Sequence, residues 1–215
     1  MKILVAGLSN AGQKSIQPAA DIVTALPLIL RDAFMIKYIV PASVEPGLDA
    51  LFTLIDEQRP SAVICISQAG GRFGLSAEFA ALNFCEDDKA RHVTGLTGRA
   101  IVPEGPAACF ATLPLREIIT AARIFGMPAE LSYAAVPSPA NTLMYRVLYH
   151  IACAELPVAA GLIQIPYLPA QTVALETAVP CLSAADIKAG LEAAITAAIE
   201  PLKHRSFIPA SPGIN

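Results

Sequence analysis

Apolar residues along this chain gather in two kinds of pattern. Residues 3–6, 35–40, 62–66 and 160–165 are short, nearly continuous apolar runs. Such runs are too brief for helices and suit strands buried on both faces. Between them apolar residues recur every three or four positions: Leu48, Leu51, Phe52 and Ile55, then Ile118, Ala121, Ala122 and Phe125. Met144, Val147, Leu148 and Ile151 repeat the pattern, as do Ile187, Leu191, Ala194, Ile195 and Ala198. Each set predicts one apolar helix face. Pro18 and Pro46 stand where a first helical residue belongs, Gly126 where a helix ends left-handed, and Ser183 where a helix is capped. Residues 130–134 read as a further strand. Strands alternating with helices predict an α/β fold, a single domain over 1–215 with a largely parallel central sheet flanked by helices. Sites in such folds collect at the carboxyl ends of strands, which directs attention to residues 7–17, 67–78, 134–141 and 164–171.

Composition narrows the classes. Of 215 residues 54% are hydrophobic and 15% charged, with a net charge of −3. That supplies a packed core and leaves no basic surface for nucleic acid or an anionic membrane. So few charges on so apolar a chain predict that some surface is buried between copies, in a homo-oligomer. The uncharged stretch 156–175 is long enough to span a bilayer, but Pro157, Pro166, Pro169, Gln164 and Gln171 interrupt it. It reads as strand and loop rather than a span. With no signal-peptide pattern at its start, the chain reads as cytoplasmic.

Residue chemistry on its own points nowhere sharp. The five cysteines are widely spaced and form no C-x-x-C pair, so neither a metal nor another cofactor is expected. His150 and Cys153 share a helix face without further ligands nearby. The first loop, Gly7-Leu8-Ser9-Asn10-Ala11-Gly12-Gln13-Lys14-Ser15, nearly matches a phosphate-binding loop. Gln13 displaces the lysine by one residue, and an ordinary strand-to-helix turn is the expectation.

The segment from Gln68-Ala69-Gly70-Gly71-Arg72 through Glu78 to Asn83 resembles the pattern G-Q-A-G-G-R-x-x-I-T-x-E-R-x-A-x-N of the pyroglutamyl peptidases. The likeness continues, in order, through Val102-Pro103-Glu104-Gly105-Pro106, Leu131-Ser132-Tyr133, Asn141 with Met144-Tyr145, and Pro166-Tyr167-Leu168-Pro169 with Gln171. The resemblance implies a cysteine peptidase fold with a Cys nucleophile at a helix start, a His base at a strand end and an orienting Glu. A helix N-terminus and a neighbouring imidazolium both favour the thiolate such a reaction needs.

Carried over by position, the family's glutamate is Glu78, its nucleophile position is Ala140 and its base position is Gln164. A methyl group cannot attack a carbonyl, and an amide does not accept a proton near neutral pH. Leu8 and Ala11 stand where the family has two phenylalanines around the lactam. These departures imply a diverged homologue whose cleft takes another small polar or peptide-like ligand, or runs another reaction. Glu78 would be its acid/base or anchor, with Ser9, Asn10, Gln68 and Asn141 as binding residues. Two alternatives stand beside it: a non-catalytic structural or regulatory partner, and hydrolysis by relocated groups. The relocated pair would be Ser138 with His92, since His150 lies about 15 Å along its helix from Ala140 and His204 falls in a basic segment after the last helix.

Overall fold

The computed structural model describes residues 1–9, 16–86, 98–173 and 175–204. Its main sheet has seven strands: β1 (Lys2–Leu8), β2 (Ile29–Leu30), β3 (Ala33–Val40), β4 (Ala62–Gln68), β5 (Leu75–Glu78), β10 (Ala129–Ser132) and β11 (Ala159–Ile165). They lie in the order β10-β5-β11-β4-β1-β3-β2. The pairs β3–β1, β1–β4 and β4–β11 are parallel, and this is the largely parallel centre expected from the apolar runs. β5 meets β11 antiparallel and pairs in parallel with β10, while β2 closes the opposite edge antiparallel to β3. Two short antiparallel pairs sit apart: β6 (Ala80–Leu82) with β9 (Ala108–Phe110), and β7 (Cys85–Glu86) with β8 (Gly98–Arg99).

Helices cover both faces, so alternate residues of a central strand enter different cores. Ile3 and Val5 pack with α1 (Pro18–Ala25), α3 (Leu115–Ile124) and α6 (Ala184–Lys203). Leu4, Ala6 and Leu8 pack with α2 (Glu45–Gln58) and α4 (Pro139–Cys153). A one-turn helix, α5 (Pro169–Thr172), follows β11. The helix signals act as their chemistry dictates. Gly126, at φ +96°, ends α3 by donating to the Arg123 carbonyl while Met127 donates to that of Ala122. Ser183 caps α6 by accepting the Asp186 N–H at 3.1 Å.

The segment 75–78 differs from its sequence reading. It follows a glycine-rich loop within the stretch 67–78, for which the apolar pattern predicts no strand, yet it is strand β5. Four residues with alternating polarity carry little local signal. The neighbours on both sides, β10 and β11, satisfy its backbone and fix its register. Its start is set by Gly74, where an added Cβ would lie 1.9 Å from the Pro128 carbonyl oxygen, the acceptor for the Leu75 N–H. Among the described residues no helix is long and apolar enough to cross a membrane.

Candidate functional site

The period-two alternation of strands assembles the site. Leu75 and Ala77 belong to the core shared with α1, α3 and α6. Ser76 and Glu78 therefore face α4. In β11, Ile163 and Ile165 enter that same core and Leu162 the other, which puts Gln164 on the α4 side as well. Register then aligns Glu130, Ser76, Gln164 and Ser67 in one row across β10, β5, β11 and β4. Ser132 pairs with Glu78 one step further toward the strand ends. A polar row thus crosses the sheet directly beneath the start of α4.

Over this row lie two adjoining chambers. The larger, of about 400 Å³, is lined by Ser9, Ser67, Gln68, Arg72, Ser138, Ala140 and Gln164 together with small apolar residues. The smaller, of about 10 Å³, has room for about one water-sized group. Glu78, Asn141, Ser138 and Gln164 are among its walls. Gln164 and Ser138 line both.

Glu78 is buried at the end of β5. Arg72, from the glycine-rich loop, reaches it at 3.5 Å, donates to Ser132 Oγ at 3.3 Å, and pairs more closely with Glu130 at 2.8 Å. Ser76 donates to the same Glu130 oxygen at 3.0 Å. Burial pushes the Glu78 carboxyl above the ordinary carboxylate range, and the Glu130 charge adds to this. The neighbouring Ser132 hydroxyl and the Arg72 guanidinium oppose it without cancelling it. Glu78 Oε2, Gln164 Oε1 and Ser67 Oγ are buried and have no hydrogen-bond partner among the described residues.

The raised Glu78 pKa carries a sign that can be measured. Between the unfolded and folded pKa values the folded chain holds the extra proton, so stability falls as pH rises through that window and returns as pH falls. The melting-temperature difference between Glu78→Gln and the unsubstituted chain is expected to shrink from neutral to acidic pH. A difference that stays constant or grows on acidification contradicts the assignment.

Other expected site residues are placed as follows. Ala140 and Gln164 both face the large chamber, Ala140 from the first turn of α4 and Gln164 near the end of β11. Gln68 lines it too, but its amide is paired reciprocally with Gln171 at 2.6 and 3.0 Å, tying β4 to the 166–171 loop. Ser9 lines it while donating to the Val40 carbonyl at 2.8 Å. The Asn141 side chain is committed to backbone: it accepts the Leu82 N–H at 2.8 Å and donates to the carbonyls of Leu82 and Phe84 at 2.9 and 3.2 Å. Asn10, Ala11, the lysine of the first loop and His92 lie outside the described residues. Ser138 caps α4, accepting the Asn141 N–H at 3.1 Å. His150 is stacked on Phe52 and faces Asp56 at 3.2 Å, near the far end of α4.

Arg72, Ser67, Ser132 and Glu130 were not singled out from sequence. Arg72 stood in the resembling segment, and its basic charge beside a motif glutamate was the available signal. Ser132 stood in another resembling segment, while Ser67 and Glu130 become site residues only through strand register.

A sequence model described as pyroglutamyl peptidase matches residues 1–201. The chain belongs to the pyroglutamyl peptidase family. It is 34% identical to the pyrrolidone-carboxylate peptidase of Clostridium botulinum over 93% of this chain and 94% of that one. Identity is also 34% to pyrrolidone-carboxylate peptidase 1 of Caldanaerobacter subterraneus subsp. tengcongensis, over 94% of this chain and all of the relative. Among solved structures, a mutant pyrrolidone carboxyl peptidase from Pyrococcus furiosus superposes with a TM-score of 0.83 at 29% identity, covering 94% of this chain and 100% of that one. Pyroglutamyl peptidase I from Bacillus amyloliquefaciens gives 0.79 at 30% identity, covering 92% and 95%. The α/β single domain with its mostly parallel sheet is thus the architecture of the pyroglutamyl peptidases. Two segments that carried the resemblance, Gln68–Arg72 with Glu78 and Pro166–Gln171, meet on or beside the two chambers.

Proposed function

We propose that this family member does not cleave pyroglutamyl peptides by a thiol mechanism and that its cleft holds a different small polar ligand anchored on Glu78. The observation that carries the reading is the pair Ala140 and Gln164, which face one chamber from the helix start and the strand end. The resemblance assigns those two places to nucleophile and base. A methyl group and a neutral amide supply neither function.

Nothing among the described residues supplies a substitute. No cysteine or histidine of the described residues lines either chamber. Burial pushes the thiols of Cys65 and Cys109 up to about 12 and about 11, which suppresses the thiolate. Cys85 lines an adjoining cleft of about 220 Å³ that shares Ser138 and Pro139 with the large chamber. The Ser138 hydroxyl has a capping role and no imidazole beside it among the described residues. What remains is a buried carboxyl among amides and hydroxyls, suited to hold a polar ligand.

A thermal-shift survey of small amines, amides and carboxylates tests the binding half. Ligands that raise the melting temperature of the unsubstituted chain are expected to lose most of that effect in Glu78→Gln. Shifts that survive the substitution, or none with any compound, contradict it. The exposed apolar residues Leu28, Ile29 and Phe34 at the β2–β3 edge favour self-association as part of the same reading.

A further inference from the structure

The three unpartnered oxygens say what kind of group the cleft lacks. An unmade hydrogen bond at a buried polar atom is costly, so three on neighbouring strands of one site are an expensive arrangement unless a ligand completes them. All three atoms can accept: Glu78 Oε2, Gln164 Oε1 and Ser67 Oγ. Glu78 and Ser67 are each more than nine-tenths buried. Glu78 and Gln164 face the small chamber, Gln164 and Ser67 the large one. Gln164 therefore stands at the passage between them, opposite Ser67 in register.

Charge points the same way. Among the described residues Arg72 alone serves both Glu78 and Glu130, so this cluster of one guanidinium and two carboxylates carries one uncompensated negative charge once Glu78 ionises. The start of α4 opposes a cation with about half an elementary charge. That is less than the full charge left over, and its Asn141 N–H is already taken by Ser138. Size then selects among cations. The small chamber, of about 10 Å³, favours a head group the size of a water over a guanidinium or a quaternary ammonium.

We propose that the passage beside Gln164 is a binding site for a primary ammonium group, its three N–H donors taken by Glu78, Gln164 and Ser67, with the attached chain lying in the large chamber against Leu8, Ala69, Val136 and Ala140. This rests on the ligand-holding reading above and names the ligand class. The source is a free small amine or the free N-terminus of a short peptide, since both present the same group.

The test is calorimetric titration of the full chain at neutral pH with n-butylamine, n-butyltrimethylammonium, butyramide, the dipeptide Ala-Ala and N-acetyl-Ala-Ala. Butylamine is expected to bind at least tenfold more tightly than its quaternary and amide analogues. Glu78→Gln is expected to weaken it at least tenfold, and Ser67→Ala about threefold, with both variants checked for an unchanged circular dichroism spectrum. Gln164→Leu serves as a second removal of an acceptor should Glu78→Gln misfold. Binding of Ala-Ala but not its acetylated form assigns the site to peptide N-termini, and binding of butylamine alone to free amines. Equal binding of the quaternary ion, indifference to Glu78→Gln, or no binding of any amine overturns the inference. If amines fail while other small polar compounds give shifts that depend on Glu78, the ammonium inference falls alone. Cleavage of a pyroglutamyl substrate would instead strike the reading it rests on.

Discussion

Turnover of a pyroglutamyl reporter amide by this chain is expected to lie about a million-fold below that of a family member with a complete Cys-His-Glu set. The members of such a set act as one unit, so losing the nucleophile alone removes nearly all of the acceleration, and losing the base adds little more. For the same reason single repairs are expected to fail. Ala140→Cys places a thiol in the first turn of α4, where the helix dipole favours the thiolate, but Gln164 offers no proton acceptor. Gln164→His provides the base without an attacking atom. Only the double variant A140C/Q164H is expected to gain measurable hydrolysis, read as kcat/KM alongside the unsubstituted chain. Hydrolysis by the unsubstituted chain within tenfold of an intact relative contradicts the proposed function. Hydrolysis by Ala140→Cys alone would show that a base outside position 164 serves the site.

Asn141→Ala is expected to cost about 3 kcal/mol of stability. Asn141 looked like a ligand contact because it follows the nucleophile position in the family pattern. In the structure its amide joins α4 to the backbone of residues 82 and 84, making three hydrogen bonds. Truncation strands the Leu82 N–H and two carbonyls where water has little access, which is the costly side of removing a buried partner. Urea unfolding checks this: the midpoint is expected to fall with the slope unchanged. A loss under about 1 kcal/mol would mean that water replaces the amide and that Asn141 is free for another role. The α4 start is thus held from below by Asn141 and capped by Ser138. Ala140 is thereby fixed against the chamber independently of any chemistry.

Much of the fold was legible because it rests on local pattern. β1, β4 and β11 are apolar on both faces, and no other element length suits such runs. α3 announced its end through Gly126, and α6 its start through Ser183. Gln164 was conspicuous as an amide inside an apolar run, and its place at the strand end was legible from that run alone. The parts that escaped depend on distant neighbours. β5 is strand because β10 and β11 flank it, more than fifty residues away in the chain. The Arg72–Glu78–Glu130 cluster exists because that pairing sets Glu130 beside Ser76. Gln68 lines the large chamber. Its exchange of hydrogen bonds with Gln171 spans 103 positions and could not be read from either residue's surroundings.

The most direct measurement is a single-turnover experiment with protein in molar excess over a pyroglutamyl dipeptide, quantifying released pyroglutamate by mass spectrometry over many hours. Excess protein removes any dependence on product release or weak binding and counts only bond cleavage. Release indistinguishable from buffer is the expected result if Ala140 and Gln164 hold the places of nucleophile and base, as proposed. Stoichiometric release that disappears in Glu78→Gln would show a working peptidase and contradict it.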